Sequence, residues 1–248
     1  MLRFASLGLL LTIGCASNDQ IPPSDLEYDD LALSVGSTVA MPSGGGELGA
    51  FGDVVAIAHG LLPKGFAAAA DGTISGDHTG LGYRYQVLCR NAQGAVEACG
   101  TTTDAFDAQV AWTGALQLPD TGMQFERTGP WAVSGLTQPV ATATGTATLA
   151  YDSRIANPDR GTVSTYHLTY AATYDNVAYD TAALKALGGD IRYALSVIRT
   201  ETRSAQMVES EYQVDAMIAL AGDGTATMDL DGTHQYTLNL TTGVVVRR

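Results

Sequence analysis

The chain has 248 residues, with 26 acidic side chains against 13 basic ones and a formal net charge of −13. Nucleic-acid binding relies on Lys and Arg to neutralise phosphates, so this balance argues against nucleic acid and anionic headgroups as partners. Solubility is the plain reading of the acidity, weak cation binding the sharper one, and the length gives one large β domain or two small ones a real core.

Arg3 is the only charge before Cys15, and an apolar run from Leu7 to Ile13 follows it. A basic start and a short apolar run form the pattern of a secretory signal, too short to span a bilayer, which takes about 20 apolar residues. The run ends in LTIGC at 11–15. That ending resembles the lipobox of bacterial lipoproteins, with Thr12 where the motif prefers Leu. The resemblance implies that residues 1–14 are a cleaved signal peptide and that the Cys15 sulfur carries diacylglycerol. The membrane is then a partner through the N-terminal lipid, and durable anchoring takes two chains or more. Ala16 stands where Asp would retain such a protein in the inner membrane of enteric bacteria, which points to the outer membrane.

Residues 15–24 are polar with paired prolines and read as a flexible tether. Ser24 stands three residues before Glu27, the spacing of a capping box, and Tyr28, Leu31, Ala32, Val35 and Val39 follow at helical spacing. This predicts a helix over 25–40, although Leu31, Leu33 and Val35 also alternate as in a strand. A second helix is predicted over 47–59, with Leu48, Phe51, Val55 and Ala58 on one face and Gly60 at its C-terminal cap. These helices form an N-terminal helical part, 25–60, of a β-rich body spanning 25–248.

From about residue 80 to 248 the period becomes two, as in a β-meander. Val110, Trp112, Leu116 and Leu118 take one face of their strand; Tyr166, Leu168, Tyr170 and Tyr174 do so in another, and Tyr212, Val214, Ala216 and Ile218 in a third. Such alternation marks antiparallel strands with one apolar face each. The fold class is therefore mainly β (α+β): a large antiparallel sheet, open, sandwich or barrel-like, with the N-terminal helices packed on it. An outer-membrane barrel is disfavoured because the strand faces are often Ala, Thr and Gly and lack an apolar band with aromatic girdles. DTAALKALGG at 180–189 predicts one later helix, capped by Asp180 and ended by Gly188. GTATLAYD at 145–152 resembles GTATMDLD at 224–231, a faint internal repeat.

With Cys15 lipidated, Cys89 and Cys99 remain as a pair for a disulfide, which an oxidising compartment permits. They flank a hairpin that turns near Asn91–Gly94. A five-residue loop, 92–96, places Cys89 opposite Cys99. A three-residue loop ending at Gly94 pairs Cys89 with Glu97 and sets the cysteines diagonally, about 7–8 Å apart, which predicts the longer loop, or a bulge, if the bridge forms.

The sequence carries no GxSxG elbow, HExxH, CxxC or Walker loop, and no catalytic residue or cofactor is assigned. Asp71, Asp77 and His78, in a glycine-rich stretch, are the weak candidates for a metal site, with turn chemistry as the plainer reading. Arg154 and Arg160 are the candidates for binding an anion, and Asp29 with Asp30 reads as a solvated helix face. The functional expectation is a non-enzymatic structural or interaction module of the cell envelope. The alternative is a carrier of an apolar ligand such as a lipid, with room left by the small residues Ala141, Ala143, Gly145 and Ala147. An envelope hydrolase is the third reading.

Overall fold

The computed structural model describes residues 23–40, 45–78, 80–118, 121–157, 161–183, 185–203 and 206–248. Both predicted N-terminal helices form, as α1 (Asp25–Val39) and α2 (Gly46–Ala58). At the start of α1 the Glu27 carboxylate accepts the Ser24 backbone N–H at 2.7 Å, so the capping box is real. No helix among the described residues is long and apolar enough to cross a membrane.

Thirteen strands follow among the described residues. The first five are β1 (Ala67–Ala68), β2 (Ile74–His78), β3 (Leu81–Arg90), β4 (Val96–Glu97) and β5 (Ala105–Leu118). The long central strands are β6 (Thr121–Ser134), β7 (Val140–Asn157), β8 (Thr162–Asp180), β9 (Lys185–Arg203) and β10 (Gln206–Leu220). Three short ones close the series: β11 (Thr225–Leu230), β12 (His234–Asn239) and β13 (Val245–Arg247). All pair antiparallel in one open sheet, in chain order except that β4 sits off the path against β3; the ends do not meet in a barrel. The alternation is kept: along β8 the buried positions include Tyr166, Leu168, Tyr170, Ala172 and Tyr174, with exposed residues between them. Both copies of the faint repeat open a hairpin in the same phase, burying Ala147, Leu149 and Tyr151 in β7 and Ala226, Met228 and Leu230 in β11.

Irregularities fall at one level on neighbouring strands. The β6–β7 pairing skips Gly129 and Pro130, the β7–β8 register shifts between Ala143 and Gly145, and the β8–β9 register shifts between Asp175 and Ala178. Bulges bend a strand and increase its local twist, so together they draw a crease across the sheet. The helices pack on the inner face: α1 meets β11, β12 and β13, and α2 meets β3 and β5. The small residues of β7 do not leave a chamber there. Trp131 lies where a Gly145 side chain would point, and Phe51 of α2 packs against Trp131 and Tyr179 at 5.4 and 4.8 Å.

Two local expectations are corrected. Residues 180–189 form no helix: β8 continues to Asp180, whose carboxylate accepts the N–H groups of Ala182 and Ala183, and β9 begins at Lys185. Asp180 does cap, but it caps a turn, because pairing of Tyr179 with Ala186 outweighs the modest helix propensity of the segment. The cysteine hairpin takes the shorter loop, with Cys89 opposite Glu97 and Gly94 in the left-handed region at φ 77°. The bridge forms nevertheless, at a Cα–Cα distance of 5.2 Å. β4 ends at Glu97, so Cys99 is not held diagonally in a ladder and curls back over Cys89. The same bend lets Gly100 donate its N–H to the Ala58 carbonyl at 3.0 Å, tying the hairpin to the end of α2.

Replacing both cysteines, Cys89→Ser with Cys99→Ser, is expected to lower unfolding stability by about 2–3 kcal/mol for so short a loop. Urea denaturation measures this; the oxidised wild type should fall to the variant's midpoint once reductant is added.

Candidate functional site

The inner face is built from tyrosine. All eleven tyrosines of the chain are buried. Each strand tyrosine places its ring against neighbours on the sheet, and several carry the hydroxyl up to the helices. Tyr83 accepts the N–H of Gly46 at the start of α2. Tyr170 donates to Thr38, Tyr166 to Asp30 and Tyr236 to Asp29. Tyr28, the one tyrosine on a helix, donates in the reverse direction to Asp231, and burial together with that carboxylate pushes its phenol up to about 12.

Two buried arginines stand among them. Arg127 of β6 continues the inward phase of Met123, Phe125, Trp131 and Val133. Its Nε donates to Glu47 Oε1 at 3.1 Å, its Nη1 donates to the carbonyls of Val110 and Gly129, and the guanidinium lies 4.5 Å from the centre of the Trp131 ring. Both side chains are essentially inaccessible, at 0 and 1%. Burial alone would lower the guanidinium; the Glu47 carboxylate and the Tyr174 phenol more than offset it, and the group stays charged. Glu47 lies in the first turn of α2, where the helix dipole also favours a carboxylate.

Arg199 of β9 extends the inward phase of Ile191, Tyr193, Leu195 and Val197 and pairs with Glu201 on its own strand and with Glu27 of α1 at 3.2 Å. It also donates to Tyr166 and Ser164. Asp25 is held by His234 and Arg247, and Asp29 by Arg247. The acidic start of α1 is therefore tied to the sheet, although Asp25 and Asp29 keep part of their side chains in water. Asp25, Glu27, Asp29 and Asp30 each reach a partner on the sheet, and burial raises the Asp30 carboxyl above its ordinary 3.8.

The weak metal candidates do not converge. Asp71 closes its own turn by accepting the N–H of Thr73, and Asp77 accepts the N–H of Gly80. His78 turns inward instead, and its Nε2 lies 2.9 Å from Asp53 of α2, which also accepts the Tyr85 hydroxyl at 2.8 Å. Among the described residues no group of three His, Cys, Asp or Glu side chains is placed to hold a metal. His167 pairs with Asp152 on the outer face, at 2.6 Å, away from His78. Arg154 is exposed on that face, whereas Arg160 and Cys15 lie outside the described residues.

On the outer face the crease leaves a groove of about 920 Å³, floored by Pro130, Ala132 and Thr146 and edged by Asp107, Gln109 and Asp175. Between α2 and the sheet the space amounts to about 20 Å³ beside Phe51, Trp131 and Tyr179. No family model matches the chain, and no curated protein and no solved structure matches it.

Sequence reasoning missed Arg127, Glu47, Arg199, Glu201 and Asp53. The readable signal was a charge standing on the apolar phase of a strand, at 127 and at 199 and 201.

Arg127→Met alone should cost about 3–5 kcal/mol, since it strands a buried carboxylate. Arg127→Met combined with Glu47→Leu should recover most of that loss; chemical denaturation of the two single variants and the pair gives the coupling. Asp30 supplies a pH test. The folded state holds its proton more tightly than the unfolded chain, so its contribution is present below pH 3.8 and is lost as pH rises through the raised folded value. Relative to Asp30→Asn, the wild type should lose stability between about pH 3.5 and neutrality, as followed by urea midpoints across that range.

Proposed function

We propose that this chain is an exported bacterial lipoprotein, anchored by lipid on Cys15, whose body serves the cell envelope as a non-enzymatic structural or interaction module. The observation that carries the reading is Arg3, an apolar run and LTIGC ending at Cys15. Pairing of Cys89 with Cys99 supports it, because disulfides persist in oxidising compartments. Ala16 favours the outer membrane over the inner one. The outer groove is open and mixes Leu88, Pro130 and Ala132 with Thr, Gln and Asp, which supports contact with an envelope partner rather than enclosure of a ligand.

A carrier of apolar cargo needs an internal chamber. The described inner face is filled by side chains and helices, and about 20 Å³ beside α2 holds a single water, not an acyl chain. A hydrolase needs two titratable groups converging in a pocket, and His78 and His167 stand on opposite faces with separate carboxylates.

Cys15→Ser is expected to shift the protein from the membrane to the soluble fraction, with the mass of the diacylglyceryl group lost. Fractionation and intact-mass measurement check both. A membrane-bound Cys15→Ser protein, or a wild type without added lipid mass, overturns the reading.

A further inference from the structure

The end of the β9–β10 hairpin exposes two consecutive apolar side chains. Met207 is 74% exposed and its neighbour Val208 is 54% exposed. Consecutive strand residues point to opposite faces, so Met207 and Val208 leave one apolar side chain open on each face of β10, at the margin of the cover that still buries Glu201, the partner of Val208. β11 pairs with β10 from Ala216 onward, Asp215 bonds to Asp231, and the described β10 residues before Asp215 pair with β9 alone. Tyr212 and Val214 are buried, but at Met207–Glu209 the side chains on both faces and the edge away from β9 meet solvent, which leaves an apolar strand edge open to unwanted pairing.

The place where the N-terminal chain leaves the body supplies the occupant. Glu27, in the first turn of α1, contacts Arg199, which pairs with Ser210. Met207 lies three residues further along β10, roughly 10 Å at the rise of a strand. The ten residues from Cys15 to Ser24 span at most about 35 Å, so an anchored N-terminus leaves the hairpin end free to reach the same surface. Two side chains fall far short of a stable protein interface, which needs about 800 Å² from each partner. They suffice for a shallow contact that an anchor already holds at high effective concentration. Glu209 and Glu211 are exposed on the same strand. Glu209 stands about 7 Å from Met207, which limits the depth and disfavours anionic headgroups.

We propose that Met207 and Val208 form a second membrane contact, inserting shallowly into a zwitterionic lipid surface beside the anchor and so fixing the orientation of the body. The proposal rests on the anchored reading of Cys15, and the test separates the two. Trp112 and Trp131 are both buried, so an added surface tryptophan reports on its own position. Full-length Met207→Trp and, as a control, Val96→Trp are reconstituted with phosphatidylcholine vesicles brominated near the headgroup and collected by flotation. Val96 is 59% exposed and lies at the other end of the strands, beside Arg90 and its partner Ala105.

The expected result is a blue shift and loss of the added emission at 207, with neither at 96. Absence of quenching at 207, equal quenching at both positions or failure of the protein to float overturns the contact. Intact mass of the same preparations judges the anchor. Missing lipid mass refutes the anchored reading, while quenching at 207 in floated protein still decides the contact.

Discussion

A sheet of long strands that stays open must bury one whole apolar face with something other than itself. Here α1 and α2 supply that cover, and the fit between helices and sheet is the constraint on which the remaining structure depends. Purely apolar packing would hold the helices without fixing where they lie, because the hydrophobic effect is not directional. Tyrosine changes this. Its ring supplies apolar area and its hydroxyl needs a partner once buried, so Tyr83, Tyr166, Tyr170 and Tyr236 each specify a point on a helix. The Glu47–Arg127 pair does the same more stringently. Displacing α2 by one turn would leave two desolvated charges apart, at a cost beyond that of breaking a neutral hydrogen bond. Replacing both by apolar residues need not weaken the core. The pair's contribution is therefore to the choice of one helix position over others more than to total stability.

The crease across β6, β7 and β8 follows from the same requirement. A sheet can wrap two helices only if it curves, and bulges provide curvature. The irregular positions lie beside Trp131 and Tyr174, the side chains that surround Arg127 from within. On the opposite face that bend appears as the groove over Pro130 and Thr146. The outer surface offered to a partner is thus shaped by the way the inner surface holds α2.

Much of the fold was legible because alternation and capping are local. The strand phases of β5, β8 and β10, the Ser24–Glu27 box and both helices are written in residues a few positions apart. Features requiring distant partners were not legible. Asp29 and Asp30 look like a solvated face until Tyr236 and Tyr166 approach from more than a hundred residues away. His78 looks like part of an acidic loop until Asp53 of α2 arrives from the inner side. The segment 180–189 has the composition of a helix and becomes the turn into β9, since its neighbours in space are strands. In the cysteine hairpin, the ladder geometry was read correctly for strands that continue. The chain leaves the ladder after Glu97, and a rule for paired residues no longer binds Cys99.

The open edges show why the helices must sit where they do. The sheet ends on β1 and β13, two and three residues long, and so short an edge offers little template for another strand. Each end is also tied back to a helix. Arg247 of β13 pairs with Asp25 and Asp29 of α1, while Phe66, just before β1, stacks on Tyr85, whose hydroxyl is held by Asp53 of α2. Helix placement and edge protection are therefore one problem with one solution. Contacts that fix α1 and α2 on the inner face also hold the two margins of the sheet against them, which lets the sheet remain open without closing into a barrel.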